Sequence, residues 1–551
     1  MKKNRYLFIA CLVLAGNLLS LSAQKTVEDP LLEIIEKEVT RTLDSIRLPN
    51  LSTPFFIDYR TEDTRSLHIR AIMGSLISST MSPLRLGAAT LLVGNYDLNN
   101  ISRNTYINPY RLPLENDEQA IRTSMWLQLD NAYKQSAENY EGYKSAINQM
   151  IIPEDMQDVP NFEKREPVVV ILPPAPLKID KKALEDYAVK ASALLKDCKE
   201  ANRSWVILNV SARDYRYYNT EGTKVFFPKN TVILEIWIQG QSPDGEEISQ
   251  FIRKNYASPE ELPDLKELKT ICEDEYKSFT AMMHAPMVKE SYSGPVLFEG
   301  GAVASCIIQY MIYPQKGLKS SFRNMNGPLM VPANDLETMQ NKKVISRDLS
   351  ITSLSGSKEY NGTPLAGYFP VDMQGVVPDK ELVLVEDGVL KNLLTSRQPS
   401  KRFPRSNGHS RYIFNNGIIH PGVIRLSSKG NRYSPAEMKQ KLIDAAKEED
   451  YEYAYIVRGQ VGGAFQFYRV DVKDGSEELL RGGKINDMSL KSFKRILGVS
   501  DKEVIHNHLI GNAGSSSYIV PESILFEEID ITKDNNIALK KPFILEKPEV
   551  K

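Results

Sequence analysis

The pattern of apolar and polar residues divides the chain into helical and strand-like segments. Apolar residues recur at helical spacing over residues 29–46, and Asp29 followed by Pro30 is typical of a helix start. Residues 54–100 and 204–249 instead alternate apolar and polar residues, which predicts antiparallel strands. Three more segments predict helices: residues 115–150, 181–200 and 260–284. The N-terminal part therefore reads as an α/β domain with an antiparallel meander and long helices.

After about residue 290, glycines, short strands and loops dominate the chain. Asp387 and Gly388 supply the positive φ angles of a tight hairpin turn in KELVLVEDGVLKNLL. Further turns are predicted at Gly462-Gly463 and at Asp474-Gly475. We expect this part to be mostly β and barrel-like, so that the fold class of the whole chain is α+β.

The N-terminus has the layout of a secretory signal. Lys2 and Lys3 precede an apolar run over residues 6–16, and small residues end at Ala23. We predict a signal peptide over residues 1–23 and a periplasmic or secreted mature chain without a membrane span. An uncleaved anchor is the alternative, but the apolar run is shorter than the ~20 residues that a span needs.

Length and composition narrow the possible functions. A chain of 551 residues is too long for one core, and the change of pattern divides the mature chain into residues 24–290 and 291–551. Charges of both signs are interspersed, which gives no footprint for nucleic acid. Cys198, Cys272 and Cys306 are too widely spaced for a disulfide framework; one bridge is possible, and buried free thiols are the simpler interpretation.

Five motifs occur in a consistent order: YSGPVLFEGGAVAS, GYFPVDMQGVVPDKELVLVEDGVLKNLLTSRQ, RSNGHSRY, RGQVGGAF and IVPESILFEEIDI. Together they resemble the TldD/PmbA family, which was first described as modulators of DNA gyrase and is now grouped with metallopeptidases. The likeness is strongest over residues 367–397, and the N-terminal meander is similar to the family's N-terminal domain. The resemblance implies a TldD/PmbA-type fold over nearly the whole mature chain and assembly as a dimer.

The resemblance also implies a zinc site, which this sequence does not reproduce. Active members carry HExxxH, with two zinc-binding histidines and a glutamate base, and a cysteine near the C-terminus. Histidines at this spacing lie about 140° apart on a regular helix, so the motif needs a wide, π-type turn. The flanking residues align the motif with EGGAVA, so Glu299, Gly300 and Ala304 stand at the first histidine, the base and the second histidine. The neighbouring register makes Glu299 the base and puts Phe298 and Val303 at the histidines. Neither register leaves a working site.

Histidines near the C-terminus offer a different metal site. The expected cysteine is missing near HNHLIGNAGSSSYIVP, but His506 and His508 share one face of a strand and, with Glu299, could bind zinc. The alternative is a polar loop. His409, in SNGHSRY, could line the same cleft or be a loop residue without a metal role.

A basic cluster over residues 396–412 is the candidate for substrate binding. Arg397, Arg402 and Arg411 could recognise a carboxylate or an acidic peptide, because guanidinium groups pair with carboxylates. The alternative is a solvated loop.

Three functions remain open at this point. The first is an exported TldD/PmbA-like protein with a degenerate zinc site and no cofactor. It would be a non-catalytic partner subunit of an HExxxH-bearing relative, or a homodimer that binds peptides. The second is an active metallopeptidase with zinc at His506, His508 and Glu299. The third is an envelope scaffold protein.

Overall fold

The computed structural model describes residues 29–102, 109–149, 158–312, 317–320, 335–413, 416–430, 432–459, 461, 464–510 and 514–541. The predicted signal peptide and the predicted turn at Gly462-Gly463 lie outside the described residues. The α-helices are α1 (Pro30–Ser45), α2 (Glu118–Ile147), α3 (Lys181–Ala193), α4 (Leu265–His284), α5 (Gly301–Ile307) and α6 (Pro435–Glu448).

The N-terminal strands form one seven-stranded sheet. They are β1 (Pro54–Ile72), β2 (Ser75–Val93), β3 (Tyr110–Arg111), β4 (Val169–Ile171), β5 (Arg203–Asn219), β6 (Lys224–Gln241) and β7 (Glu247–Tyr256). Their order is β3-β2-β1-β5-β6-β4, with β7 also paired to β6. All pairs are antiparallel except β4 with β6.

The C-terminal strands are, in chain order, β8 (Tyr292–Glu299), β9 (Leu349–Ser353), β10 (Glu359–Tyr360), β11 (Thr363–Pro364), β12 (Leu382–Glu386), β13 (Val389–Leu390), β14 (Ser410–Ile413), β15 (Asn416–Ile419), β16 (Val423–Ser428), β17 (Arg432–Tyr433), β18 (Tyr453–Gly459), β19 (Phe465–Asp471), β20 (Glu477–Leu480), β21 (Gly483–Asn486), β22 (Ile496–Ser500), β23 (Glu503–Ile510), β24 (Gly514–Pro521) and β25 (Ser523–Lys533). A six-stranded sheet has the order β13-β12-β9-β16-β24-β23. An eight-stranded sheet has the order β17-β22-β25-β8-β18-β19-β20, with β21 paired to β25.

Local chemistry explains the first elements. The carboxylate of Asp29 accepts the N–H of Leu32 at 2.8 Å, so α1 begins where the cap and Pro30 predict it. The predicted meander consists of two 19-residue strands rather than several short ones. Met73 and Gly74 join them with φ angles of 46° and 78°, which suits a tight hairpin. The polar residues of these segments also stay in the strands, because each partner strand satisfies their backbone groups.

The two faces of the N-terminal sheet have different partners. Apolar side chains of β5 such as Val206 and Leu208 pack under α3 and α4, with Phe279 in the same cluster. Helices α1 and α2 cover a neighbouring part of the sheet through a second cluster. Residues one position out of phase, such as Arg213 on β5 and Lys229 on β6, point to the opposite face. That face meets loops of the C-terminal part.

In the C-terminal part, the two larger sheets share one core. It contains Phe298 of β8, Ile424 of β16 and Tyr518 of β24, and the apolar residues of α5. The predicted hairpin turn is confirmed, since Asp387 and Gly388 have φ angles of 46° and 77°.

The α+β class and the mostly β C-terminal part are confirmed. The barrel-like arrangement is not found in the described residues, because each of the two larger sheets ends in strands that pair on one side only. The boundary near residue 290 falls between α4 and β8, and separate domains at 24–290 and 291–551 stay a prediction. Cys198, Cys272 and Cys306 are buried free thiols. Across the described ranges, no helix is long and apolar enough to cross a membrane.

Candidate functional site

The stretch EGGAVA lies at the junction of strand β8 and helix α5. Glu299 ends the strand, and its Oε2 lies 2.6 Å from Nε of Arg458 in an ion pair. Arg458 also pairs with Glu477 at 2.7 Å. Burial opposes the charge of Arg458, but the hydrogen bonds to Glu477 and Glu299 prevail and raise its pKa. Glu299 is therefore engaged in a partly exposed ion-pair network across strands β8, β18 and β20 of the eight-stranded sheet.

The other motif positions are occupied in ways that do not fit a zinc site. Gly300 has φ 58° and ψ −126°, a conformation that glycine tolerates and a glutamate base would not. Ala304 is completely buried in the C-terminal core, as are Phe298 and Val303 of the neighbouring register. A π-helical turn is present, but it spans Ile308–Ile312 and follows the motif positions. The backbone therefore does not aim positions 299 and 304 at one metal.

The two C-terminal histidines share one face of the edge strand β23, as predicted. His506 is paired across the ladder with Tyr518 and His508 with Ser516. Burial lowers the pKa of both side chains, to about 4 for His508, where Arg253 contributes. Within the described ranges, no group of three or more His, Cys, Asp and Glu side chains is arranged to hold a metal ion. These histidines thus have no third ligand there, and Glu299 belongs to the other sheet.

His409 has a role within the fold. Its Nε2 lies 2.8 Å from Oγ of Ser353 and its Nδ1 lies 2.9 Å from Oδ1 of Asn407. Burial lowers the pKa of His409 to about 3, so the imidazole is neutral. Both ring nitrogens are used to hold the loop against strand β9.

The structure separates the three arginines of the basic cluster. Arg397 is completely buried and pairs with Glu221 at 2.6 Å. Its Nε and NH2 donate to the carbonyl oxygen of Glu163 at 2.9 and 2.6 Å, and its guanidinium stacks 4.1 Å from the ring centre of Phe162. Arg397 therefore joins a C-terminal loop to the N-terminal part. Arg402 is exposed on the surface.

The segment with the strongest family resemblance begins with a loop over residues 367–381, continues through β12 and β13, and ends at Arg397, which packs against that loop. The carboxylate of Asp372 accepts the backbone N–H groups of Gln374, Val376 and Ser410, each at 2.9 Å. Gln374 in turn accepts the N–H of Arg397 through its side chain at 2.8 Å. Burial raises the pKa of Asp372 to about 6, against the lowering effect of these hydrogen bonds. The motif thus shapes a loop rather than supplying catalytic groups.

This loop roofs a cavity over the open face of the N-terminal sheet. The cavity has a volume of about 300 Å³, and Arg411 and Asp372 line it from the C-terminal side. Glu62, Arg213 and Lys229 line it from strands β1, β5 and β6. Of the three predicted arginines, only Arg411 reaches it.

Among the described charged residues that line the cavity, two cations, Lys229 and Arg411, and one acid, Asp372, have no ion-pair partner. Glu62 lies 3.6 Å from Arg213, so these two charges compensate each other. Lys229 donates instead to the carbonyl oxygen of Ala366 at 3.0 Å, and Arg411 donates to backbone carbonyl oxygens of Pro421 and Ser515. Neither cation has an ion pair within the part of the chain that the structure describes.

Burial opposes the charges of both cations, and for Lys229 the neighbouring arginines add to this effect. Burial, with repulsion from Arg411 and Arg213, lowers the pKa of Lys229 to about 7. Burial also lowers the pKa of Arg411 to about 10. An anion in the cavity would favour the charged form of both.

Lys229, Arg213 and Glu62 were absent from the sequence-based candidates. A signal existed, because the alternation of β6 places Phe227, Lys229 and Thr231 on the face away from the helices. The sequence does not say which loop covers that face, so nothing linked these residues to Arg411.

Comparisons with known proteins agree with the motif analysis. Residues 321–533 match the model of the PmbA/TldA metallopeptidase C-terminal domain. A protein named metalloprotease from Archaeoglobus fulgidus is 30% identical over 143 residues, which cover 24% of this chain and 31% of that relative. The match therefore spans about a third of the relative's length. The family resemblance inferred from the motifs is confirmed for the C-terminal part.

Solved structures show the same fold. A candidate DNA gyrase modulator from Thermotoga maritima has a TM-score of 0.57 at 15% identity, covering 91% of this chain and 99% of its own. TldE from Thermococcus kodakarensis has a TM-score of 0.56 at 13% identity, covering 92% and 100%. A candidate DNA gyrase modulator from Bacteroides thetaiotaomicron has a TM-score of 0.56 at 11% identity, with the same coverage.

Proposed function

Since residues 321–533 match the C-terminal domain of the PmbA/TldD metallopeptidases, we propose that this chain is a non-catalytic relative that binds peptides without cleaving them. The observation that carries the proposal is the environment of the three motif positions. Glu299 is engaged by Arg458, Gly300 has a backbone conformation suited to glycine, and Ala304 is inside the core. None of these positions offers a zinc ligand or a free general base.

The peptide-binding part of the proposal is supported by the cavity. Its size and mixed polar and apolar lining are typical of a ligand site. Asp372 and Arg397 hold the loop above it through buried hydrogen bonds. A chain that has no histidine at positions 299 and 304 and still builds such a cavity is suited to binding.

We further propose that the protein acts outside the cytoplasm, either as a homodimer or beside a relative that carries HExxxH. Export rests on the residue pattern of positions 1–23. The partner role rests on the family resemblance together with the replaced motif positions. Co-purification from cell envelopes, followed by mass spectrometry, tests both points.

Zinc content and peptide cleavage test the loss of catalysis directly. The mature chain from residue 24 is purified, equilibrated with zinc, dialysed and analysed by elemental mass spectrometry. It is then incubated with a peptide mixture, and products are sought by mass spectrometry. We expect no stoichiometric zinc and no cleavage, and the same results for the Glu299→Ala variant.

The atypical metallopeptidase makes the opposite prediction. Stoichiometric zinc that disappears in His506→Ala or His508→Ala, together with peptide cleavage that disappears in the same variants, would overturn the proposal. His68→Ala is the matched control, because His68 is an exposed strand histidine hydrogen-bonded to Asn209 and lies outside the zinc hypothesis.

A further inference from the structure

We propose that the cavity recognises a carboxylate, namely the free C-terminal carboxylate of a short peptide, held between Lys229 and Arg411. This inference rests on the proposed peptide-binding function and deepens it. Two cations from different parts of the chain line the same cavity: Lys229 lies on strand β6 and Arg411 on strand β14. Their juxtaposition creates a site that neither part has alone.

The charge distribution argues for an anion. Two cations close together in an enclosed space are unfavourable unless something compensates them, because both desolvation and mutual repulsion oppose their charges; Arg411 is buried here and Lys229 is half-buried. Arg213 is already compensated by Glu62, whereas Lys229 and Arg411 donate to carbonyl oxygens and have no carboxylate partner among the described residues. Carbonyl dipoles orient the two cations without neutralising them. An anionic ligand would supply the missing charge.

The surroundings favour a carboxylate over a phosphate. Asp372 and Glu62 also line the cavity, and these carboxylates would repel a dianion more strongly than a monoanion. Tyr215 stacks on Phe227 at 5.0 Å between ring centres, and Arg411 lies 4.9 Å from the ring centre of Phe369. These rings offer an apolar surface beside the cations, which suits the last side chain of a peptide.

The cavity volume favours a chain end. About 300 Å³ is near the lower limit of ligand pockets, enough for one or two residues rather than an extended segment that passes through. A peptide that enters such a space ends there, and its terminal carboxylate meets the two cations.

The test compares peptides that differ only at the C-terminus. Binding of acetyl-Ala-Ala-Phe with a free carboxylate, and of the same peptide as its amide, is measured by calorimetry at pH 6. At this pH Lys229, with a pKa of about 7, is charged. We expect the amide to bind roughly 30-fold more weakly or worse, because it leaves the two cations of the cavity uncompensated.

Variants connect the difference to the proposed residues. Lys229→Met should lower the affinity for the carboxylate peptide by a similar factor and leave the affinity for the amide peptide unchanged. The substitution removes the charge and keeps an aliphatic side chain. Lys254→Met is the matched control, an exposed lysine on strand β7 of the same sheet, and should change neither affinity. Because Arg411 also supports the loop through Pro421 and Ser515, Arg411→Lys is the second variant, with folding checked by circular dichroism.

The outcomes distinguish this inference from the proposed function. Equal affinity for the two peptides would overturn the carboxylate site while leaving peptide binding intact. If the cavity binds 3-phenylpropionate but no peptide, carboxylate recognition is supported and the proposed peptide-binding function is overturned. Tighter binding of inorganic phosphate than of the carboxylate, abolished by Lys229→Met, would overturn the preference for a monoanion. If the two peptides still differ in affinity for the Lys229→Met variant, the carboxylate site lies elsewhere and the inference is overturned.

Discussion

Replacing Arg397 with alanine is expected to destabilise the protein by about 3–5 kcal/mol, the usual cost of removing one partner from a buried ion pair. Arg397 has no exposed surface, and Glu221 is only 7% exposed. The change would also remove the two hydrogen bonds to Glu163 and the stacking on Phe162. Hydrogen bonds to charged groups contribute about 1.5–3 kcal/mol each, but they are not additive within one network, so the pair value is the better estimate.

The assay uses the distribution of tryptophans. All three, Trp126, Trp205 and Trp237, precede residue 290, so their fluorescence reports the N-terminal part, whereas circular dichroism reports the whole chain. Because Arg397 joins the two parts, its removal should shift urea unfolding to lower concentration and separate the fluorescence and circular dichroism transitions. In the unaltered protein we expect the two transitions to lie closer together.

Arg402→Ala is the matched control from the same basic cluster. Arg402 is exposed, so its removal should change stability by no more than about 0.5 kcal/mol. Glu221→Gln tests the pair from the other side, and its effect should be much less than additive with that of Arg397→Ala. If Arg397→Ala behaves like the control in unfolding and weakens peptide binding instead, the structural role is wrong and Arg397 is a ligand contact.

Three further predictions follow from the cavity, its roof and the motif positions. Lys229 has a pKa of about 7 in the folded protein and 10.5 in the unfolded chain, so the unfolded chain binds more protons between these pH values. The free energy of unfolding of the unliganded protein, measured with urea, should therefore rise from about pH 7 to pH 10. An equal rise in the Lys229→Met variant would contradict this prediction. Asp372→Asn should destabilise the loop by about 1–3 kcal/mol, because an amide cannot accept hydrogen bonds from all the N–H groups that bond to the carboxylate. An unchanged hydrogen-exchange rate at the N–H of Ser410 would refute this prediction. The triple variant Glu299→His, Gly300→Glu, Ala304→His should not bind zinc, because Gly300 has a positive φ angle and Ala304 lies in the core. Stoichiometric zinc in a folded variant, measured by elemental analysis, would show instead that the site can be restored.

The candidate site was only partly predictable from sequence. The cluster around Arg411 pointed to carboxylate recognition, and Arg411 does line the cavity. Arg397, from the same cluster, is instead buried against residues 163 and 221. The two arginines are 14 positions apart in one basic loop, and their local sequence does not distinguish them. Only the packing of the loop on the N-terminal sheet does.

What the sequence by itself determined is local. The cap of α1 at Asp29, the hairpin turn at Asp387-Gly388 and the absence of histidines at Glu299 and Ala304 each depend on residues close together in the chain. Capping, backbone dihedral angles and ligand chemistry act over a few residues, so they can be inferred from the local sequence. The motif block also identified the family of the C-terminal part.

What only the tertiary structure decided is the meeting of distant residues. Lys229 and Arg411 are separated by more than 180 positions, and each taken alone is an ordinary cation on a strand or loop. They line one cavity because the alternation of β6 turns Lys229 away from the helices, and because the loop held by Asp372 and Arg397 covers that open face. The charge of a cavity depends on which surfaces pack together, and that packing is a property of the whole fold rather than of any segment.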